Sequence, residues 1–336
     1  MKLFNINLNK KVFIIAEIGV NHEGDYLRAK KLIILAARNG ADAVKFQFYT
    51  PEKFIAKDYE ERFNRVKSFC LKKDTIQKLI LIAKKNKIPI FATPVSHDYV
   101  DFIDKNFGVI KIASGDCTFE KLLHACAKTK SKILLSTGNT DINEVKKSIS
   151  YLKKHSKINL HNRLILMHCV SSYPASLKDL NLKVLNLYKK KFNFVLGYSN
   201  HAINYEIACL SAVSLGARVI EVHFTDSKKN RKFRDHHLSL LPSDLKRLRY
   251  KIDETYLALG SEKKNIQKSE FLQNKMLKKG IVAKMDLSKG HQLKLEDLDF
   301  ARPALFYNAN AASKLIGKKI KKGVKSSFLI TRKNIL

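Results

Sequence analysis

Eight short apolar runs of this sequence each lead into a polar residue, almost always at the C-terminal end of the run. In chain order these polar residues are Glu17, Lys45, Thr93, Lys111, Ser136, His168, Ser199 and Glu221. His201 and His223 follow the last two runs, and two imidazoles with the Glu17 carboxylate suit a divalent first-row metal that acts as a Lewis acid. The alternative is that each histidine is a hydrogen-bonded core residue, and the residues alone leave that choice open.

A second group of polar residues combines two lysines with small hydroxyl side chains. Its members are Lys45, Thr93, Lys111, Ser114 and Ser136. Ammonium groups and hydroxyls together form a cradle for a small phosphate or carboxylate. Lysines that simply end a strand in solvent are the alternative, but the flanking residues here are apolar. The second to fifth runs therefore predict an anion site.

The spacing of the polar residues predicts that they share one face of their strands, because residues i and i+2 of a strand point to the same side. Three pairs have this spacing: Lys45 with Gln47, Ser199 with His201, and Glu221 with His223. A buried polar group without a partner costs on the order of a few kcal/mol. So many inward polar groups must satisfy one another, as a network that only specifies the core, or bind a ligand.

Segments of helical periodicity separate the apolar runs at intervals of roughly 25 residues, which is typical of repeated right-handed βαβ units. The predicted helices cover residues 26–39, 75–86, 98–106, 119–129, 142–155, 180–191, 205–215 and 243–259. We predict an α/β fold, a (β/α)8 TIM barrel whose active site lies at the C-terminal strand ends. An open doubly wound sheet is the alternative, but residues 19–24 (GVNHEG) lack the G-x-G-x-x-G spacing of its phosphate loop.

The pattern changes near residue 260, so we expect the barrel domain to span residues 1–260. Residues 261–274 are polar and charged and are predicted to be a linker. Residues 275–336 hold short apolar runs around two turns, Lys289–Gly290 and Lys322–Gly323, which predicts a small β-rich domain. A domain of that size has a marginal core, and we expect it to gain stability by docking on the barrel or on a neighbouring subunit.

The chain has a formal net charge of +34, from 64 Lys and Arg against 30 Asp and Glu. Such a charge is typical of proteins that bind nucleic acid or a membrane surface. Here the lysines are spread over nearly every predicted helix, without the aromatic residues that a single-strand binding platform requires. We therefore expect no nucleic-acid and no membrane partner, and a basic nucleic-acid-binding protein remains the weaker alternative.

Cysteine usage and hydropathy both favour a cytoplasmic protein. The five cysteines are scattered without a C-x-x-C pair, which fits a reducing compartment and argues against a thiolate zinc site. The longest apolar runs reach about 6 residues, far short of the roughly 20 that a membrane helix needs. The first apolar run also contains Glu17, unlike a signal peptide.

Seven segments resemble the sialic acid synthase family, whose members condense phosphoenolpyruvate with an N-acylated hexosamine to make nine-carbon nonulosonic acids. They are residues 16–24 (AEIGVNHEG), 44–47 (VKFQ), 92–94 (ATP), 111–116 (KIASGD), 135–138 (LSTG), 197–201 (GYSNH) and 221–226 (EVHFTD). Residues 280–284 (GIVAK), 300–303 (FARP) and 315–319 (LIGKK) resemble the antifreeze-like, or SAF, domain of the same family, a β-clip fold. The resemblance covers nearly the whole chain.

The resemblance implies a transferase that uses an N-acylated hexosamine such as N-acetylmannosamine and releases phosphate by C–O cleavage. Two alternatives stay open. One is synthesis of legionaminic or pseudaminic acid from a 2,4-diacetamido-2,4,6-trideoxyhexose, and the other is synthesis of a 9-phosphate product from a 6-phosphorylated hexosamine. The resemblance also implies that His201 and His223 bind Mn²⁺ or Mg²⁺, with Glu17 beside the metal as an acid/base or water-positioning group.

The resemblance also implies the residues that contact each substrate. For phosphoenolpyruvate they are Lys45, Thr93, Lys111, Ser114, Ser136, Ser171, Ser199 and Arg302. For the amino sugar they are Gln47, Asp116, Tyr173 and Asp235. Arg302 would reach from the SAF domain into the site of a partner subunit, which implies a domain-swapped homodimer.

The sequence departs from the family pattern at several of these positions. Asp116 stands where Glu is frequent, Ser171 stands where Asn is common, and Phe233–Arg234 replaces the usual Gly-Pro before Asp235. The segment between the second and third strands also looks short. The changes at 116 and in that segment bear on which sugar fits. His236 and His237 follow at once and are left without a role, because adjacent residues seldom face one site.

Overall fold

Eight parallel strands close into a barrel in the computed structural model of the chain, which describes the backbone of residues 1–336 and every side chain except that of Leu272. A short antiparallel hairpin, β1 (Lys2–Leu3) and β2 (Ile6–Asn7), precedes the barrel. The barrel strands are β3 (Phe13–Gly19), β4 (Ala43–Phe48), β5 (Ile90–Pro94), β6 (Val109–Ile112), β7 (Lys132–Ser136), β8 (Leu164–Cys169), β9 (Val195–Asn200) and β10 (Val219–His223). Each pairs with the next and β10 pairs with β3, which confirms the predicted TIM barrel.

Helices follow the strands along this unit, which spans Met1–Gly260. They are α1 (Tyr26–Arg38), α2 (Pro51–Phe54), α3 (Glu60–Phe69), α4 (Lys73–Lys85), α5 (Val100–Phe107), α6 (Glu120–Lys128), α7 (Ile142–His155), α8 (Val184–Phe192), α9 (Tyr205–Ser214), α10 (Asp235–Leu238) and α11 (Pro242–Leu259). The bounds of α7 agree with the prediction at both ends, because Asp141 and Glu144 form a capping box there. Helices α2, α3 and α10 were not predicted. No helix among the described residues is long and apolar enough to cross a membrane.

The alternation of side chains along the strands separates two buried layers. Outward residues such as Val44 and Phe46 pack against the helices in the larger core. Inward residues near the strand starts form a second apolar cluster inside the barrel, which Leu3 and Leu8 of the N-terminal hairpin segment join. The strand members of this inner cluster include Phe13, Ile15, Ala43, Phe91, Val109, Leu134, Ile165, Met167 and Val219. The next inward position of most strands, two residues closer to the C-terminal end, is where the inward polar residues begin.

The strand register brings the inward polar residues side by side. The adjacent pairs are His223 with Glu17, Glu17 with Lys45, Gln47 with Thr93, and Ser199 with Glu221. Since neighbouring strands lie about 4.8 Å apart, residues that are up to 206 positions apart in sequence (Glu17 and His223) share one ring at the barrel end.

The second unit spans Ser261–Leu336. It contains α12 (Phe271–Leu277) and one antiparallel pair, β11 (Gly280–Ala283) with β12 (Leu298–Ala301). The two predicted Lys-Gly turns contact each other, since Leu287 pairs with Val324 and the Gly290 N–H donates to the Ile320 carbonyl oxygen at 2.7 Å. A separate apolar core includes Ile281, Leu293 and Ile330, among others. The predicted linker residues belong to this unit, and its likeness to a SAF domain stays a prediction.

Candidate active site

A cavity of about 960 Å³ lies at the C-terminal ends of the barrel strands. All but two of the predicted site residues line it, namely Glu17, Lys45, Gln47, Thr93, Lys111, Ser114, Asp116, Ser136, Tyr173, Ser199, His201, His223 and Asp235. Ser171 lines a second cavity of about 440 Å³ instead. Arg302 lies in the second unit, where its Nε donates to the Leu277 carbonyl oxygen at 2.6 Å, and its reach into a partner subunit stays a prediction.

Four charged side chains alternate in sign across the floor of the cavity. Lys45 Nζ lies 2.9 Å from Glu17 Oε2 and 3.7 Å from Glu221 Oε1. Lys111 Nζ lies 3.4 Å from the same Glu221 oxygen. Lys45 also donates to Thr93 Oγ1 at 2.9 Å. All four charged residues are at most 4% exposed, so each is held in place by its opposite neighbours.

The two carboxylates of this charge row differ in acidity. Burial raises the pKa of Glu17, and the attraction of Lys45 does not cancel the effect. Burial also acts on Glu221, but Lys111 and Lys45 together lower its pKa to about 2. Glu17 is therefore the more readily protonated of the two carboxyls, as a general acid or base requires.

Glu221 is a central residue of the site, although it is not among the predicted site residues. Ser199 Oγ donates to Glu221 Oε1 at 3.1 Å, so the single hydroxyl hydrogen of Ser199 is directed to this carboxylate. The signal that marks Glu221 in the sequence is its i, i+2 spacing from His223, which places both on the inward face.

The two predicted histidines come together at the ends of β9 and β10, with ring centroids 5.3 Å apart. His201 Nδ1 lies 2.7 Å from the Val170 carbonyl oxygen, which fixes the proton on Nδ1 and leaves Nε2 free to accept. His223 Nδ1 is buried and has no hydrogen-bond partner among the described residues. Burial, followed by repulsion from His201, holds the pKa of His223 well below its usual range.

The histidine pair fits a divalent metal, but the three-ligand set expected from the spacing is not formed. In the part of the chain that the structure describes, no three His, Cys, Asp or Glu side chains come together as a metal-binding group. Glu17, the expected third member, is bound by Lys45 and by Gln47 Nε2 at 3.0 Å. The unpartnered nitrogen of His223 and the Nε2 of His201 are two imidazole nitrogens of the kind that first-row metals prefer.

His168 ends a strand but does not share the inward face, so its expected place among the chemical residues is wrong. Its Nε2 lies 2.7 Å from the Leu180 carbonyl oxygen, and its ring packs near Tyr188 and Tyr198. Cys169 occupies the inward position, with Sγ 3.6 Å from His201 Nδ1. Adjacent strand residues point to opposite faces, and here the cysteine, not the histidine, faces the cavity.

Three chain segments meet closely at Gly138, just beyond β7. Its N–H donates to Ser114 Oγ at 3.1 Å. A Cβ at this position would lie 2.4 Å from Ser171 Oγ and 2.9 Å from Ser114 Oγ, so any larger residue would displace both hydroxyls. Ser136 Oγ, two residues earlier, is buried with no hydrogen-bond partner among the described side chains. These hydroxyls and the two buried lysines are donors that a small anion would satisfy.

Comparison with known proteins identifies the family. Residues 32–264 match the family model described as the NeuB family. The chain belongs to the NeuB family. This confirms the resemblance found in the sequence for the barrel unit.

Named relatives cover nearly the whole length of this NeuB family chain. It is 36% identical to N,N′-diacetyllegionaminic acid synthase of Campylobacter jejuni, over 96% of this chain and 99% of the relative. It is 32% identical to pseudaminic acid synthase of the same species, over 97% of each. The crystal structure of N-acetylneuraminic acid synthetase from Leptospira borgpetersenii in complex with citrate matches with a TM-score of 0.76 and 34% identity. That match covers 82% of this chain and 94% of the other.

One wall of the cavity in this NeuB family member is apolar. We call it the apolar wall, and its residues are Val20, Tyr49, Phe54, Val66, Phe69, Val95 and Phe233. Phe69 of α3 and Phe233 meet edge to face with ring centroids 5.5 Å apart. Phe233 is one of the departures from the family pattern, and α3 was missed from sequence. Phe233 therefore brings an aromatic ring into this wall.

Proposed function

We propose that this protein is a nonulosonic acid synthase, a transferase that condenses phosphoenolpyruvate with an open-chain N-acylated hexosamine and releases phosphate by C–O cleavage. The observation that carries the proposal is the meeting of two buried lysines, the buried Glu17 and the His201–His223 pair in one cavity. Membership of the NeuB family, with relatives named as legionaminic and pseudaminic acid synthases, supports it.

The charge row suits an anionic substrate when Glu17 is protonated. The two ammonium groups of Lys45 and Lys111 both lie within 4 Å of the Glu221 carboxylate. With Glu17 neutral, these three side chains carry a net charge of +1. Fixed charges in a water-poor site stabilise a phosphate or carboxylate more strongly than they would in water. Lys45, Lys111 and the hydroxyls of Thr93, Ser114 and Ser136 hold phosphoenolpyruvate in this proposal, with the phosphate toward Gly138.

Glu17 moves the proton that the reaction needs. As C3 of phosphoenolpyruvate attacks the aldehyde carbon, the protonated Glu17 gives its proton to the aldehyde oxygen. The resulting carboxylate then takes a proton from the water that adds to C2. The tetrahedral intermediate expels phosphate as its C2 hydroxyl becomes a carbonyl, and the hydroxyl proton passes to the leaving phosphate. Gln47, which donates to Glu17 Oε1, orients the carboxyl between the two steps.

Mn²⁺ or Mg²⁺ held by His201 and His223 would supply Lewis-acid polarisation of the aldehyde oxygen when bound. The chain fixes this pair in advance. The Val170 carbonyl orients the His201 ring, and Tyr173 stacks on that ring with centroids 4.1 Å apart. Asp235 Oδ2 lies 3.8 Å from His223 Nδ1.

The apolar wall favours a 2,4-diacetamido-2,4,6-trideoxyhexose over N-acetylmannosamine. Such a sugar presents two acetamido methyls and a C6 methyl, and burial of each methyl is favourable by about 0.8 kcal/mol. Phe69 and Phe233 offer an aromatic surface for them. A 6-phosphorylated hexosamine is the alternative, and one observation favours it: Arg62 and Arg65 of α3 line the same cavity.

A substrate panel tests the proposal. Metal-loaded protein is given phosphoenolpyruvate with N-acetylmannosamine, its 6-phosphate, or each of several 2,4-diacetamido-2,4,6-trideoxyhexoses, and inorganic phosphate release and product mass are measured. Turnover that is highest with a trideoxy sugar is expected, and omission of the sugar is the control. Failure of every sugar to release phosphate contradicts the proposed function, whereas preference for the 6-phosphate contradicts only the sugar assignment.

Gly138→Ala is expected to raise KM for phosphoenolpyruvate by about 10- to 100-fold, since overpacking costs typically 1–3 kcal/mol. The new methyl displaces Ser114 and Ser171, while the sugar side of the cavity keeps its KM. Gly115→Ala is the matched control, because nothing described lies within 4 Å of its added Cβ. Equal KM values for the two alanine variants would refute the anion site at Gly138.

Asp116 is expected to give an acid limb in the pH profile of kcat/KM for the sugar. Burial raises its pKa to about 6, against the lowering effect of Lys111. The ionised carboxylate accepts a sugar hydrogen bond, so kcat/KM falls as the pH drops through about 6 and the group becomes neutral. In Asp116→Asn, kcat/KM for the sugar is lower at every pH and the acid limb is absent. A limb of unchanged midpoint in the Asn variant would exclude Asp116 as its source.

A further inference from the structure

A buried polar cluster joins the loop after β10 to the loop after β3. His236 is only 1% exposed, whereas its neighbour His237 is exposed. His236 Nδ1 lies 2.8 Å from Thr225 Oγ1, and its Nε2 lies 3.4 Å from Glu23 Oε1. Arg231 Nη1 lies 3.5 Å from the other Glu23 oxygen. We call these four residues, Glu23, Thr225, Arg231 and His236, the loop latch.

Both ring nitrogens of His236 face polar groups of the latch. His236 Nδ1 and the Thr225 hydroxyl share a hydrogen bond, and Thr225 also donates to the Ser227 carbonyl oxygen at 3.2 Å. Nε2 faces Glu23 Oε1 across 3.4 Å without forming a hydrogen bond, so this second contact is electrostatic. Glu23 has further cationic partners, since Arg28 also pairs with it. With both nitrogens directed at the latch, His236 is not placed to serve as an extra metal ligand.

The latch holds the residues next to it against the cavity. Phe233, Arg234 and Asp235 all line the cavity, whereas His236 is not among its lining residues. Arg234 lies over the Tyr173 ring, 4.7 Å from its centroid. The position of this short stretch therefore depends on the residue that follows it.

Backbone contacts transmit the position of His236 to Asp235. The His236 N–H donates to the Phe233 carbonyl oxygen at 3.2 Å, and Ser239 Oγ donates to the Asp235 carbonyl oxygen at 2.6 Å. Asn21, in the same loop as Glu23, donates to Ser239 Oγ at 3.0 Å. The loop after β3 thus fixes the turn on both sides of Asp235.

We propose that His236 is a positioning residue for the sugar side of the cavity and acts through its contact with Glu23, which itself lines the cavity. Their contact sets the loop so that Phe233 and Asp235 face the amino sugar, while the phosphoenolpyruvate side is left unaffected. The identity of the sugar rests on the proposed function, but the latch itself rests on the contacts alone. This assigns a role to the histidine that the sequence left without one.

Two substitutions of His236 separate positioning from packing. In His236→Gln the side-chain amide reaches the place of Nε2 and keeps the contact with Glu23, whereas the shorter amide of His236→Asn does not reach it. We expect the Asn variant to raise KM for the sugar by about 10-fold because the loop loses this contact, with KM for phosphoenolpyruvate unchanged. The Gln variant restores most of the loss, and His237→Ala, at the exposed neighbour, changes neither KM.

Hydrogen–deuterium exchange gives a second measurement that needs no turnover. Amides of residues 228–239 are expected to exchange about tenfold faster in His236→Asn, with the barrel strands unchanged. Unchanged loop exchange overturns the latch, and faster exchange with an unchanged sugar KM overturns the positioning role. If His236→Asn does not fold, Thr225→Val, which removes the hydroxyl partner of His236 Nδ1 outside the cavity, is measured instead and must give the same two effects. If the wild type turns over no sugar, the proposed function fails, and the exchange still decides whether the latch exists.

Discussion

Lys45→Met is expected to lower the free energy of unfolding by about 3–5 kcal/mol and to abolish phosphate release. The substitution leaves Glu17 without its 2.9 Å partner and weakens the hold on Glu221, both at most 4% exposed. Loss of one member of a buried ion pair is costly because the other charge stays desolvated. Urea denaturation measures the first effect, and phosphate release measures the second.

The stability loss in Lys45→Met should grow with pH. Without the lysine, burial raises the pKa of Glu17 further above its unfolded value, so the folded state holds a proton that the unfolded state has lost. Stability then falls as the pH rises toward that raised folded pKa. The double variant Glu17→Gln/Lys45→Met removes the stranded charge, so it should regain stability but no activity. Equal stabilities of the single and double variants would contradict the charge-row interpretation.

His223→Ala is expected to lose bound metal and to slow phosphate release by about 10³-fold or more, the scale of a removed electrostatic catalyst. One of the two imidazole nitrogen ligands disappears, and His201 alone cannot keep the metal. Manganese content after equilibration and desalting measures the binding, independently of activity.

His168→Gln is the matched control for the metal experiment. His168 is also a buried histidine at a strand end, but its Nε2 faces the Leu180 carbonyl oxygen outside the barrel interior. Its substitution should leave the manganese content unchanged, although packing between β8 and α8 is disturbed. An unchanged manganese content in His223→Ala would refute the assignment of the histidine pair.

Much of the site could be predicted because strand parity and strand-end chemistry are local properties. Lys45 and Gln47, two positions apart, are enough to show which residues of β4 point into the barrel. Ser199 and His201 do the same for β9. The run before His168 has no polar residue two positions away. The sequence therefore did not show which residues of this strand point into the barrel. Cys169, which resembles an apolar residue in sequence, faces the cavity.

Other features depend on contacts that sequence spacing does not contain. Glu221 gains its role from Lys111, which lies 110 positions earlier and reaches it across the barrel. Helix α3 buries only Phe63 and Val66 along its length. Two buried residues give a weak helical periodicity, so the sequence pattern alone did not predict this helix. The second unit holds one pair of four-residue strands and isolated bridges, so its strand content is lower than its apolar runs suggested.

The hairpin at the start of the chain has a consequence for the order of assembly. Leu3 and Leu8 pack in a cluster that includes Val219 of the last barrel strand. Leu3 and Leu8 therefore reach these partners only after more than 200 further residues have emerged and the barrel has closed. Contacts of such long sequence separation slow folding. A fusion partner or deletion at the N-terminus should thus act on the rate and yield of folding, while the chemistry at the opposite end of the barrel is unchanged once the chain has folded.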